Sequence, residues 1–202
     1  YKRQVLMFQS RFVALRRWVL GRPVFVVALL ALAARAVVAT VLNVSDTWSL
    51  APDAGQYLAI AEAASDGRIE AFWPGYGESL YRSTWAYTGQ IVGLFEIFGP
   101  FRSLGQAVSV VYGAVAAAAT TALALRVVRR PFALGAGLIV AFTPSQVLWS
   151  SVVLRESLIW AVLAVAGLIL SRLRAASNQR SVFIVVAGLG LAYLVLVHLR
   201  SQ

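Results

Sequence analysis

The chain has 202 residues, of which 60% are hydrophobic and 13% are charged, and its formal net charge at pH 7 is +10. A mean hydropathy of +0.77 excludes an ordinary soluble domain, in which about 25% of residues are charged. Cysteine is absent and His198 is the only histidine, which excludes a disulfide framework, a thiolate site and a histidine-rich metal centre. Long apolar runs predict an all-α fold: a polytopic bundle of about five to six transmembrane helices.

Residues 1–22 form the first predicted element. Apolar residues recur there at roughly helical spacing, and basic residues lie between them. This pattern is typical of an amphipathic helix lying in the headgroup layer. By the positive-inside rule this end faces the cytoplasm. The remainder, 23–202, is predicted to be one transmembrane module.

The first span is predicted at residues 23–42 and contains Arg35. An arginine deep in a span costs at least about 2.5 kcal/mol on insertion scales. Arg35 is therefore expected either to face protein or a wet cavity, or to reach an interface with its long side chain.

A polar outer loop is predicted at residues 44–85, and six of the eight acidic residues of the chain lie in it. Within the loop, a short helix is predicted over 56–64, with Asp53 as its N-cap. The cluster at 73–77 is predicted to be a turn. The other five acids of the loop are most simply solvated surface: Asp46, Glu62, Asp66, Glu70 and Glu78.

Residues 84–99 are predicted to form a helix that is interfacial or half-inserted. If this segment crossed the membrane, the arginine clusters at 126–130 and 172–180 would lie outside; otherwise both lie in the cytoplasm, as the charge bias favours.

Four further spans follow, at 104–125, 131–149, 153–170 and from 182 onward, and 144–156 forms a second outer turn. Small residues expected at close helix contacts are Ala114, Ala116, Ala118, Gly135 and Gly137. Tryptophans expected in an interfacial belt are Trp48, Trp73, Trp85 and Trp149.

The predicted topology brings Asp53 in the first outer loop to the same membrane face as Arg155 and Glu156 at the second. Glu156 is the only acid in the last hundred residues, and an acid beside an apolar helix is a functional candidate by default. The alternative is an ion pair with Arg155 or Arg82 that ends a helix. Tyr57 is either a hydrogen-bond partner of Asp53 one turn away or an aromatic belt residue.

At these residues the sequence resembles a known group of enzymes. Asp53-x-x-x-Tyr57-x-x-x-Ala61 after an arginine-containing span, and Pro144 followed by Glu156, resemble the two outer loops of GT-C glycosyltransferases. Arg35 and the turns at 99–102 and 129–132 fit the same pattern, and the resemblance covers about 11–173. The group includes protein O-mannosyltransferases and aminoarabinose transferases, and the chain is expected to be an amino-terminal transmembrane module of this kind.

The resemblance implies transfer of a sugar from a polyprenyl-phosphate donor to an acceptor on the outer face of the cytoplasmic membrane. Asp53 is the expected base, because an inverting transfer needs one group to take the acceptor proton. Glu156 is expected to orient an arginine or the acceptor. Residues expected to bind substrate are Tyr57, Arg82, Arg155, His198 and Arg200. No cofactor and no metal are expected.

Two other function classes compete with the enzyme hypothesis. The chain is alternatively a non-catalytic GT-C-like subunit or scaffold that serves a membrane protein partner. A transporter ranks lowest, because the acids lie at the surface and no internal repeat is visible. Nucleic acid is not an expected partner, since the arginines fall in short clusters between apolar runs, as topology signals and membrane-lipid contacts do.

Overall fold

A computed structural model describes residues 17–47, 50–69, 77–172 and 179–200 of the chain, without the side chains of 179–181 and 198–200. Within these ranges the protein is all-helical, as predicted. The helices are α1 (Pro23–Val44), α2 (Pro52–Ser65), α3 (Gly77–Phe98), α4 (Arg102–Ala124), α5 (Arg130–Phe142), α6 (Pro144–Trp149), α7 (Glu156–Leu170) and α8 (Gln179–Arg200).

Two of these helices are long and apolar enough to cross a membrane, namely α1 with 22 residues and α4 with 23. Three shorter apolar helices accompany them: α5, α7 and the 182–197 part of α8. The predicted number of five to six spans is therefore not confirmed. Of the predicted amphipathic helix at 1–22, only 17–22 are described, and 17–21 are helical.

Helix α4 is the centre of the bundle and packs most extensively against α1 and α7. It runs antiparallel to α1, because Asn43 near the end of α1 donates a hydrogen bond to Gln106 near the start of α4. It runs parallel to α7, since Ser109 lies beside Leu154 and a Cβ on Gly167 would contact Leu123. Helix α2 packs on α3.

The predicted span 131–149 is interrupted where α5 ends at Phe142. Thr143 is extended, with φ −59° and ψ 118°, the conformation that a following proline favours. Pro144 has no N–H, so it cannot donate the usual helical bond to the carbonyl of Val140. A new short helix, α6, begins at Pro144.

Arg35 supplies the hydrogen bonds that the interrupted helix lacks. Its Nη2 donates to the carbonyl of Val140 at 3.2 Å and its Nη1 to that of Ala141 at 3.0 Å. Nη1 also donates to Ala31 in its own helix, and Nε donates to Ser150 Oγ at 2.7 Å. Arg35 is 1% exposed, so it faces protein and does not reach an interface.

A line of small residues lets the broken segment approach α1 and α4. A Cβ on Gly113 would overlap both Arg35 Nε and the Ser150 side chain, and one on Gly137 would overlap Thr121. Gly137 was among the small residues predicted at close contacts. Gly135 was too, but a Cβ there would contact nothing within 4 Å.

Two helix boundaries in the segment 44–99 differ from the sequence prediction. Helix α2 includes the predicted 56–64 but begins at Pro52 with Ala51 as N-cap, so Asp53 lies inside the first turn and is not the N-cap. Helix α3 begins at Gly77, within the segment predicted as loop, so Arg82 is helical. Gly77 is the only described residue of the predicted turn at 73–77.

Gly113→Ala should lower the free energy of unfolding by about 1–3 kcal/mol, the usual cost of overpacking a filled core. Gly135→Ala is the matched control, because its added methyl group meets open space. Thermal unfolding in detergent, followed by tryptophan fluorescence, measures both. Equal unfolding midpoints for the two variants would contradict the close approach at Gly113.

Candidate functional site

Two helices carry an acid in their first turn. Asp53 lies in the first turn of α2 and Glu156 is the first residue of α7. A helix N-terminus carries a partial positive charge that stabilises a nearby carboxylate. Asp53 and Glu156 therefore each lie in the first turn of a helix, close to its backbone N–H groups.

Asp53 presents an exposed carboxylate, which makes no hydrogen bond or ion pair within the described part of the chain. One turn later, Tyr57 is 3% exposed, and its ring lies edge-on to Tyr87 with the ring centroids 5.8 Å apart. Tyr57 therefore fixes α2 to the core and does not lie in an exposed aromatic belt. The arrangement leaves Asp53 facing solvent on a helix whose other face is held.

A hydrogen-bonded chain continues from Tyr87 towards Glu156. The Tyr87 hydroxyl and Ser109 Oγ are 2.6 Å apart, and both groups are buried. Ser109 Oγ in turn accepts the backbone N–H of Leu154 at 3.3 Å. Helices α3 and α4 are thereby joined to the segment that leads into α7.

Glu156 has one carboxylate oxygen, Oε2, that is buried and has no hydrogen-bond partner in the described structure. Buried polar atoms without partners are exceptional in native proteins, because desolvation is then uncompensated. The described part of the chain shows no ion pair of Glu156, so the structural alternative of a pair with Arg155 or Arg82 is not what is observed. A donor from a bound molecule would satisfy this oxygen.

The structure does not bring Asp53 and Glu156 into direct hydrogen-bond contact. Between their two helices lie Tyr57 and Tyr87, which belong to one buried core, and Ser109, which is hydrogen-bonded to Tyr87. The described geometry therefore places the two acids in one region of the bundle, but it does not pair their carboxylates.

The predicted cationic residues are placed differently from one another. Arg155 is half-buried at the N-cap position of α7, next to Glu156. Arg82 is exposed and forms an ion pair with Glu78 one turn earlier on α3. His198 and Arg200 lie in the last turns of α8, but their side chains are outside the described residues.

Of the acids predicted as solvated surface, Asp46, Glu62 and Asp66 are exposed, and Glu78 is half-buried. Asp46 pairs with Arg102, and Asp66 pairs with Arg68. The hydrogen bond from Arg68 to Asp66 raises the pKa of the exposed Arg68 guanidinium. Glu70 is outside the described residues. Of the predicted belt tryptophans, Trp85 and Trp149 are exposed, and Trp48 and Trp73 are outside the described ranges.

Sequence reasoning missed a row of buried polar residues in α4. Gln106, Ser109 and Gly113 recur at helical spacing on the side that meets the broken segment. Gln106 Nε2 donates to the carbonyl of Ser151 at 3.0 Å, and Ser151 Oγ donates to the carbonyl of Arg35 at 3.1 Å. The signal was present as polar or small residues three and four positions apart within an apolar helix.

An apolar groove of about 500 Å³ lies between α1 and the interrupted segment. It exists because α5 stops at Phe142 and leaves the neighbouring face of α1 uncovered. Its lining residues are Ala34, Val38, Phe142, Pro144, Val147 and Leu148.

Among the described residues, no group of three or more His, Cys, Asp or Glu could hold a metal ion. Comparisons of the chain with protein-family models, with curated proteins and with solved structures found no match.

Tyr87→Phe should lower the free energy of unfolding by about 1 kcal/mol, because it removes a buried hydrogen bond and leaves Ser109 without its phenol partner. Tyr112→Phe is the matched control. It removes a phenol hydrogen bond of the same length, 2.6 Å, between the same two helices, but at an exposed position. Chemical unfolding of the two variants checks this expectation, and a larger loss at Tyr112 would contradict it.

Proposed function

We propose that the chain is the transmembrane module of an inverting glycosyltransferase that uses a polyprenyl-phosphate-linked sugar. The observation that carries the proposal is the placement of the two acids. Asp53, with a solvent-facing carboxylate, and Glu156, with an unsatisfied buried oxygen, both lie in the first turn of a helix. The two helices meet the same buried core, which contains Tyr57 and Tyr87. The resemblance of the two outer segments to GT-C enzymes supplies the reaction class.

Asp53 is the proposed base. In an inverting transfer, the acceptor hydroxyl attacks the anomeric carbon, the bond from that carbon to the phosphate oxygen breaks, and the acceptor proton passes to the base. Polyprenyl phosphate then leaves, and it needs no acid catalyst because phosphate is already a good leaving group. An exposed carboxylate that makes no hydrogen bond among the described residues is accessible to an acceptor and is not engaged elsewhere.

Glu156 and Arg155 are the proposed binding residues on the other side of the reacting sugar. The unsatisfied Glu156 Oε2 accepts a hydroxyl of the acceptor or the sugar. The guanidinium of Arg155, at the start of α7, is suited to a phosphate, which guanidinium groups bind with two parallel hydrogen bonds.

The apolar groove beside α1 supports a lipid-linked donor. Its lining consists of apolar side chains, and α1 is one of the two helices able to cross a membrane. A groove of about 500 Å³ has room for a short stretch of an isoprenoid chain. The apolar helices α5, α7 and α8 complete the proposed bundle of five to six spans, with α3 interfacial.

The proposed site lies on the outer face of the cytoplasmic membrane, with the amino terminus in the cytoplasm. The arginines at the opposite end of the bundle support this orientation, because loops rich in arginine remain on the cytoplasmic side.

Asp53→Asn should lower sugar transfer about 10²–10⁴-fold, the usual contribution of a general base. The assay uses the full chain in proteoliposomes with radiolabelled polyprenyl-phosphate mannose or aminoarabinose and a cell-envelope acceptor fraction. Glu62→Gln is the control, because Glu62 is an exposed acid on the same helix and its loss should leave the rate unchanged.

Glu156→Gln in the same assay should lower the rate about tenfold, as loss of one hydrogen bond to a charged group does.

Unchanged transfer by Asp53→Asn would refute the base assignment. If the folded wild-type chain transfers neither sugar and copurifies with a larger membrane enzyme, the chain is the non-catalytic subunit instead.

A further inference from the structure

The end of the bundle opposite the acids carries a group of exposed arginines that the proposed reaction does not use. We call this group the arginine end: Arg22, Arg126, Arg129, Arg130 and Arg172, all exposed.

Helix directions bring these residues together although they are far apart in sequence. Helices α4 and α7 run parallel, so Arg126 and Arg172 follow neighbouring helix ends. The short connection after α4 carries Arg129 and Arg130 to the start of α5. Arg130 Nη1 donates to the carbonyl of Leu20 at 3.5 Å, which places Arg22 beside them.

No acid among the described residues contacts these arginines. All eight acids of the chain lie at residues 46–96 or at Glu156, and Glu156 begins α7 at the end opposite Arg172. The three ion pairs in the described part of the chain involve Arg68, Arg82 and Arg102. Each of those arginines has a carboxylate, whereas no carboxylate contacts the arginine end within the described residues.

Exposed apolar side chains are interleaved with these charges. Val127 is 80% exposed and Phe132 is 68% exposed, and both lie among Arg126, Arg129 and Arg130 in sequence. Helix α4, which is able to cross a membrane, ends at Ala124 just before them. Cationic and apolar groups mixed at the end of such a helix suit the headgroup layer, where guanidinium groups meet phosphates and apolar side chains meet acyl chains.

We propose that the arginine end is a binding surface for anionic phospholipid headgroups. Guanidinium groups bind phosphate oxygens in pairs, and several on one surface bind a lipid such as phosphatidylglycerol more tightly than a zwitterionic one. A soluble polyanion would engage the same charges, but it would leave Val127 and Phe132 in water. The lipid is therefore the occupant that both features fit.

The test measures lipids retained by the full chain in native mass spectrometry after incubation with equal amounts of phosphatidylglycerol and phosphatidylcholine. The wild-type chain should retain phosphatidylglycerol preferentially. The triple variant Arg126→Gln, Arg129→Gln, Arg130→Gln should lose about tenfold or more of that preference. The control triple variant Arg68→Gln, Arg82→Gln, Arg102→Gln also removes three positive charges, but away from the arginine end. This control should keep the preference for phosphatidylglycerol.

Two further measurements keep the test decisive if the triple variant does not fold. The double variant Arg22→Gln, Arg172→Gln should also weaken the preference. Raising the salt concentration from about 0.05 M to about 0.5 M should weaken it in the wild-type chain, because salt screens exposed charges. The proposal is overturned if the wild-type chain shows no preference, if both triple variants lose it equally, or if an oligonucleotide displaces phosphatidylglycerol at equal phosphate concentration.

Discussion

The guanidinium of Arg35 makes the interruption of α5 possible, and most of the fold depends on that interruption. Pro144 removes one helical donor, and four N–H groups of Arg35 reach Ala31, Val140, Ala141 and Ser150. A buried arginine is usually costly without a carboxylate. Here the carbonyl end of a helix, which carries partial negative charge, takes that role. The carbonyl groups that lack helical donors and the buried guanidinium that lacks a carboxylate therefore satisfy each other.

The candidate site follows from this break. Because the chain turns back at 143–155, α7 starts inside the bundle beside Ser109 and not at the end of a continuous span. Glu156 consequently begins a helix with one oxygen buried, while Tyr57 and Tyr87 hold the turn that carries Asp53. The same break leaves the apolar groove beside α1. The proposed binding carboxylate and the proposed lipid groove thus share one structural cause, whereas the position of the proposed base depends on the contact between Tyr57 and Tyr87.

Long apolar runs predicted the all-helical class and the positions of α1 and α4, and a short helix was predicted after the first run. These runs did not predict that α5 stops at Phe142. The 131–149 segment was assigned to one span although it contains Thr143, Pro144, Ser145 and Gln146, because the contact of Arg35 that stabilises the Thr143–Pro144 break comes from a distant part of the chain. The burial of Tyr57 was equally open, since a tyrosine near an apolar helix suits a belt and a core alike. The helical spacing of Gln106 and Ser109 was visible in the sequence. Their hydrogen-bond partners could not be predicted, because these are distant in the chain.

The central claim is that Arg35 holds the interrupted segment in place, and cysteine labelling tests it most directly. The chain has no cysteine, and Val152, just after the break, is fully buried. A maleimide should label Val152→Cys slowly in the otherwise unchanged chain, and about tenfold or more faster when Arg35→Gln is added, because the segment then opens locally. Val127→Cys, at an exposed position, should be labelled equally in both backgrounds. Equal, slow labelling at position 152 with and without Arg35 would contradict the account.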